Sequence, residues 1–160
     1  MEEPRWLTEP EMRAWRTLVT TTTGLLATLD GELQAEHGLT LGDYEVLAVL
    51  SEEPGELMRM SDLAATLHLS PSGMTRRIDG LVRGGLVERH QCPTDRRGSN
   101  AVLTAAGRKR LEDAAPTHVR GVREYFVDQL SARQLANIAS ALGALEVDAK
   151  TGATSVCDEA

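Results

Sequence analysis

This chain has little of several residue types on which other classes of protein depend. Its 160 residues include two cysteines, Cys92 and Cys157, and only 3% of its residues are aromatic. Two cysteines cannot form the disulfide framework of a small secreted domain. So few aromatic rings predict a core built from Leu, Val, Ala and Met. We therefore expect one compact domain that is stabilised by aliphatic packing and completed by a partner.

The sequence also lacks segments that would direct it to a membrane or out of the cell. The first four residues, M-E-E-P, do not have the basic and apolar regions of a signal peptide. No apolar run approaches the length of a membrane span. We expect a soluble, cytoplasmic chain that has no membrane partner.

Recognisable catalytic and metal-binding patterns are absent as well. There is no nucleophile, base and orienting residue in a known motif, and there is no glycine-rich phosphate loop. The histidines are not spaced from cysteine, aspartate or another histidine as metal ligands usually are; they are His37, His68, His90 and His118. We expect neither an enzyme nor a bound metal or cofactor.

The most informative segment that is present covers residues 70–104. Ser70 is a good helix N-cap, and Pro71 stands at the first helical position, where its fixed φ suits a helix. Gly84 and Gly85 then predict the end of this helix. Its predicted buried face consists of apolar residues at helical spacing, namely Met74, Ile78, Leu81 and Val82.

A short hairpin follows this helix, and another helix precedes it. Residues 86–89 and 101–103 predict two strands around a loop that is rich in arginine. Residues 63–67 predict the preceding helix, with Ser61 as its cap. Two helices joined by a short turn and followed by a hairpin form a winged helix-turn-helix, whose second helix enters the major groove of B-DNA.

Hydroxyl and guanidinium groups in this unit could contact base edges and phosphates. On the hairpin tip, Asp95 would pair with Arg96 and leave Arg97 for a minor groove. Ordinary solvated charges are the alternative for all these arginines. The predicted DNA-binding residues are Ser70, Ser72, Thr75, Arg76, Arg77 and Arg83 in the helix, and Asp95, Arg96 and Arg97 in the wing.

These elements resemble the MarR family of transcriptional regulators. The resemblance lies in D-L-A-A-T-L-H-L-S-P-S-G-M-T-R-R-I-D-G-L-V, in G-L-V-E-R, and in D-R-R followed at a fixed distance by V-L-T, and it extends over about residues 6–147. The chain departs from the family at Arg77, where an aliphatic residue is common, at Gly80, where arginine is common, and at Ala101, where valine is usual. The resemblance implies a homodimeric regulator, most often a repressor, that leaves an inverted-repeat operator when a small-molecule effector binds.

The remaining segments predict long amphipathic helices outside the DNA-reading unit. We expect a mainly α, single MarR-like domain over 1–160, with a helical dimerisation region at 6–37 and 104–148, the winged helix-turn-helix with its β-hairpin at 40–103, and a disordered tail at 149–160. The threonine run at 20–23 is interpreted as a weakly wound helix surface, and lining an effector cavity is its alternative. Burial in the core of a single chain is the alternative for the apolar faces of these helices. The predicted dimer contacts are Trp15, Leu18, Leu135, Ile138, Leu142 and Leu145.

The formal charge of −7 is opposite in sign to the positive charge expected of a DNA-binding domain. However, residues 59–110 contain ten Lys/Arg and four Asp/Glu, a local charge of +6. Because screening confines exposed charges to about 8 Å at physiological salt, DNA would meet mainly this basic segment. Two other functions stay open: a winged-helix module that binds protein, and a redox-sensing regulator in which positive neighbours favour the thiolate of Cys92.

Overall fold

The computed structural model describes residues 4–91 and 98–145, and it confirms a mainly helical fold with a small sheet. The α-helices are α1 (Glu9–His37), α2 (Leu41–Glu52), α3 (Met60–Thr66), α4 (Pro71–Arg83), α5 (Ala105–Tyr125) and α6 (Ala132–Gly143). The strands are β1 (Leu57–Arg59), β2 (Val87–Gln91) and β3 (Ser99–Leu103), and short 3₁₀ turns cover Pro54–Glu56 and Val127–Gln129. The predicted tail at 149–160 lies outside the described residues.

Most helices begin at a residue whose side chain caps the first turn. The hydroxyl of Thr40 accepts a hydrogen bond from the backbone N–H of Asp43 at 3.0 Å, and Thr104 caps α5 in the same way. Ser131 caps α6, and the side chain of Gln134 accepts from the N–H of Ser131 at 2.9 Å. These bonds satisfy backbone groups that a helix terminus leaves without partners.

The start of α3 differs from the prediction. Its N-cap is Arg59, so the prediction of Ser61 as the cap is wrong. Ser61 lies in the first turn of the helix, where its hydroxyl donates to the carboxylate of Asp62 at 3.2 Å. The reason is β1, a strand that the sequence analysis did not predict and that runs directly into the helix.

The sheet has three antiparallel strands in the order β1-β3-β2. Leu57 of β1 faces Val102 of β3, and Val87 of β2 faces Leu103. Thus β2 and β3 form the predicted hairpin, and β1 covers the other edge of β3. Cys92 and the predicted tip residues Asp95, Arg96 and Arg97 lie outside the described residues.

The core lies between the C-terminal half of α1, helices α2 to α5 and the sheet. Leu33, Leu47, Leu63, Ile78 and Val87 are fully buried there. By contrast, α6 has no buried residue, and α1 buries only positions in its last third. The first half of α1 and all of α6 therefore leave apolar surface outside this core.

Helix α5 buries only part of its apolar surface. Leu111 is buried, but Val119 is 54% exposed, and the buried face also includes Thr117 and Gly121. Pro116 lies inside the helix, which continues to Tyr125. None of the described helices combines the length and the apolar character needed to cross a bilayer.

Candidate nucleic-acid interface

Helix α4 is held on the core by the side predicted to be buried. Met74, Ile78 and Leu81 are buried, whereas Val82, which was also predicted on this face, is 38% exposed. The hydroxyl of Ser70 accepts from the N–H of Gly73 at 3.1 Å. At the other end, Gly85 has a φ of +68°, a conformation that favours glycine and separates the helix from the wing. The two ends and the packing confirm the predicted limits of the helix.

The outer face of α4 presents hydroxyl and guanidinium groups together. Ser72, Thr75 and Arg76 are all exposed in its N-terminal half. The Thr75 hydroxyl donates to the carbonyl of Pro71 at 2.9 Å, and the hydroxyls of Ser70 and Ser72 are 3.3 Å apart. Arg83 is also exposed, but it lies roughly 16 Å further along the helix axis than Ser72.

Arg77 is separated from these exposed residues. Its Nη1 lies 3.4 Å from Oδ1 of Asp43 and 3.5 Å from Oγ1 of Thr40, both in or beside the first turn of α2. Only 29% of the Arg77 side chain is exposed. The structure therefore places Arg77 against α2 rather than on the outer face with which it was predicted to act.

The wing is attached to α4 by a residue that the sequence analysis did not select. Nη1 of Arg89 in β2 lies 2.8 Å from Oδ1 of Asp79, and Nη2 of Arg89 donates to the carbonyl of Thr75 at 3.1 Å. This arginine thus joins the hairpin to two successive turns of α4. The motif G-L-V-E-R contains Arg89, but its partner can be recognised only in three dimensions.

A polar cavity of about 370 Å³ lies between α3, α4 and the base of the wing. Its lining residues include Arg59, Ser61, Thr75, Arg89 and Ser99. Cationic and hydroxyl donors of this kind suit the oxygens of a phosphate group. The cavity therefore adds to the polar character of the surface around α4.

A second concave surface is apolar and lies far from α4 in the sequence. A groove of about 720 Å³ separates the N-terminal half of α1 from α6. It brings together Leu18, Ile138 and Leu142 of the predicted dimer contacts, and Thr21 and Thr22 line it as well. Among the other predicted contacts, Leu135 is half-buried, and Trp15 and Leu145 are more than half exposed.

Polar contacts also join the C-terminal part of α1 to α5, outside the lining of this groove. The Thr117 hydroxyl donates to Glu36 at 2.9 Å, and Arg120 also pairs with this carboxylate. The hydrogen bond from Thr117, with the nearby Arg120, holds the pKa of Glu36 below its usual value. A hydrogen bond to Glu32 raises the pKa of Tyr125.

An aromatic contact joins α5 to α2. The rings of His118 and Tyr44 have centroids 4.6 Å apart. Burial lowers the pKa of His118 and raises that of Tyr44, since both charged forms lose hydration there. Thus α5 contacts both α1 and α2, the first helix of the winged helix-turn-helix region at 40–103.

Comparisons with known proteins agree with this architecture. The family model of the MarR family matches residues 37–98. The repressor YetL of Bacillus subtilis is 30% identical over 98 residues, and the match covers 59% of this chain and 59% of YetL. The chain thus spans less than two thirds of that relative.

Two solved structures resemble nearly the whole chain. AbsC, a MarR family transcriptional regulator from Streptomyces coelicolor, is 42% identical, and the match covers 87% of this chain and 93% of AbsC with a TM-score of 0.81. A second regulator of this family from the same organism, solved in complex with DNA, is 34% identical over 89% of each chain with a TM-score of 0.84. The chain belongs to the MarR family of transcriptional regulators.

Proposed function

We propose that this protein is a sequence-specific DNA-binding regulator that acts as a homodimeric repressor on an inverted-repeat operator. The observation that carries the proposal is the outer face of α4, where Ser72, Thr75 and Arg76 are exposed together. Helix α4 rests on a packed core, and Arg89 ties the wing to it. A rigid helix with such side chains suits the major groove.

The individual residues then have separate roles. Ser70 orients the start of α4, Ser72 and Thr75 contact base edges or phosphates, and Arg76 contacts a guanine edge or a phosphate. Arg83 contacts the DNA backbone further along the helix. The wing residues Asp95, Arg96 and Arg97 complete the contacts, with Arg97 in a minor groove.

Two relatives support this function. The Streptomyces coelicolor regulator with 34% identity was solved in complex with DNA, and YetL is a transcriptional repressor. We extend DNA binding and repression to this chain from these relatives. A repressor acts by occupying its operator, because the bound protein keeps other proteins from the same stretch of DNA.

The dimer part of the proposal rests on α1 and α6. These helices line an apolar groove and expose Trp15, Leu18, Leu142 and Leu145. A second subunit on this surface would bury apolar area at about 25 cal/mol per Å². A twofold axis then places two α4 helices on half-sites about one turn of DNA apart.

We also propose that an apolar small molecule regulates the dimer. In the proposed dimer, the partner subunit would cover the groove between α1 and α6 and enclose a ligand site. Its lining is mainly apolar and includes Thr21 and Thr22. A ligand that binds more tightly to one spacing of the two subunits shifts the population toward that spacing. A spacing that does not match the operator releases the protein from DNA.

The decisive experiment selects genomic fragments bound by the purified protein and titrates the best fragment by fluorescence anisotropy at several salt concentrations. We expect log K to fall steeply and linearly with log salt, because phosphate neutralisation releases counterions. Arg76→Gln should weaken binding by about 1–3 kcal/mol. The control Arg133→Gln removes the same charge from the exposed surface of α6 and should bind like the parent.

Two results would contradict this function. One is a parent protein that selects no DNA, and the other is DNA binding that does not depend on salt. The first result would favour a protein-binding module, and the second would show that the contacts to DNA do not neutralise phosphates. Equal affinity of the Arg76→Gln variant at every salt concentration would remove Arg76 from the interface.

A further inference from the structure

We propose that Arg77 is a positioning residue that latches α4 to the first turn of α2 and thereby sets how the outer face of α4 meets DNA. This inference rests on the proposed function and assigns to Arg77 a role different from that of its neighbour Arg76. We call the set Thr40, Gly42, Asp43 and Arg77 the α2–α4 latch.

The contacts of Arg77 are directed away from the outer face. Residues that follow each other in a helix point about 100° apart, and Arg77 therefore turns toward α2 while Arg76 stays exposed. Its Nη1 lies 3.4 Å from the carboxylate of Asp43 and 3.5 Å from the hydroxyl of Thr40. Both ion-paired side chains are less than a third exposed: 29% of Arg77 and 27% of Asp43. Partial burial weakens the screening of this pair by salt.

Gly42 leaves open the space that the guanidinium of Arg77 occupies. A Cβ at Gly42 would lie 2.0 Å from Nη1 and 2.4 Å from Cζ of Arg77. The guanidinium thus rests directly on the backbone of α2, in space that any other residue would fill. A side chain at position 42 would displace the guanidinium from Asp43 and Thr40.

The first turn of α2 is also held by α1. Oδ1 of Asp30 in α1 accepts a hydrogen bond from the backbone N–H of Leu41 at 2.7 Å, and Gln34 donates to the same carboxylate. Thr40, beside Leu41, caps α2 and contacts Arg77. One turn of α2 therefore contacts both α1, which lines the apolar groove, and α4. A shift of α1 would reach α4 through this turn.

The latch and a direct DNA contact predict different behaviour for Asp43. If Arg77 contacted DNA, Asp43→Asn would remove a negative charge near the phosphates and would leave affinity unchanged or increase it. If Arg77 positions α4, the same change removes its ion-pair partner and lowers affinity. The sign of the effect separates the two roles.

The experiment measures operator affinity across a salt series for Gly42→Ala, Asp43→Asn, Arg77→Gln and the double variant Gly42→Ala/Arg77→Gln. We expect each single variant to bind about tenfold more weakly, since contacting residues have coupling energies of this order. The slope of log K against log salt should stay that of the parent, because no phosphate contact is lost. Gly42→Ala should have no further effect when Arg77 is already Gln.

The absence of a further effect distinguishes a latch from general loss of stability, which would add in the double variant. Gly31→Ala in α1 is the matched control, because nothing lies within 4 Å of its Cβ position, and it should bind like the parent. Parental affinity of Asp43→Asn and Gly42→Ala, with a lower salt slope for Arg77→Gln, would make Arg77 a DNA contact and overturn the latch. A parent that binds no DNA would overturn the proposed function, whereas a DNA-binding parent whose three single variants are unchanged would overturn the latch alone.

Discussion

At the scale of single residues, His118 shows how packing changes the chemistry of a side chain. Its ring lies against Tyr44 in the contact between α5 and α2, and its Nδ1 is buried without a hydrogen-bond partner among the described residues. Burial lowers the pKa of His118 from 6.5, although the charge of nearby Glu45 acts in the opposite direction. Folding therefore favours the neutral form of this histidine more than the unfolded chain does.

The expected consequence is a loss of stability in mild acid. With a lowered folded pKa, the unfolded state binds more protons just below pH 6.5, and the free energy of unfolding decreases as pH falls through this window. Thermal melting should show a larger fall in Tm between neutral and mildly acidic pH for the parent than for His118→Gln.

His68→Asn is the control for this measurement. His68 is exposed and has a φ of +52°, a conformation that Asn tolerates well. This variant should keep the pH dependence of the parent. An unchanged pH dependence in His118→Gln would remove His118 as its cause.

At the scale of elements, the fit of α5 against the wing depends on one glycine. A Cβ at Gly107 would lie 2.0 Å from the backbone carbonyl oxygen of Leu86 and 2.8 Å from Cδ1 of Leu103. A carbonyl oxygen in the backbone cannot move as a flexible side chain can. Gly107→Ala should lower the free energy of unfolding by about 1–3 kcal/mol, the usual cost of overpacking, as measured by urea denaturation.

The opposite result is expected for Gly80, which lies inside α4. The nearest atom to a Cβ at Gly80 is Nη2 of Arg83, at 4.0 Å. Gly80→Ala should raise the free energy of unfolding by about 1 kcal/mol, because alanine has the higher helix propensity. Urea denaturation under the same conditions tests both glycines, and equal effects of the two substitutions would contradict this distinction.

The sequence predicted most elements because their signals are local. The caps at Thr40, Ser70, Thr104 and Ser131 bond to groups only three residues away. The same locality explains why β1 was missed. Its three residues are a strand only because Leu57 and its neighbours pair with β3, more than forty residues later.

At the scale of the whole molecule, the surface formed by α1 and α6 makes a testable prediction about assembly. Leu142 lines the groove and is 44% exposed. Leu142→Asp would place a charge in the proposed subunit contact, where an unpaired buried ion costs several kcal/mol. Light scattering should give two chains for the parent and one chain, or loss of folding, for this variant.

A matched control lies on the other side of the same helix. Ser140 is exposed and is not part of the groove lining. Ser140→Asp adds the same charge and should leave both the dimer and operator affinity unchanged. A parent that is monomeric at micromolar concentration and still binds a palindromic operator with full affinity would contradict the dimer.

The sequence alone determined the order of the helices, the limits of α4 and the family resemblance, because these depend on neighbouring residues and on their spacing along the chain. Only the tertiary structure decided which arginines face outward. Arg76 and Arg77 are adjacent in sequence, yet Arg77 is directed to Asp43 and Thr40 across 34 and 37 residues. Arg89 likewise pairs with Asp79 and donates to the carbonyl of Thr75. The ion-pair partner of a charged side chain is decided by which residues the folded chain brings close in space. The local sequence pattern does not show which distant residues those are.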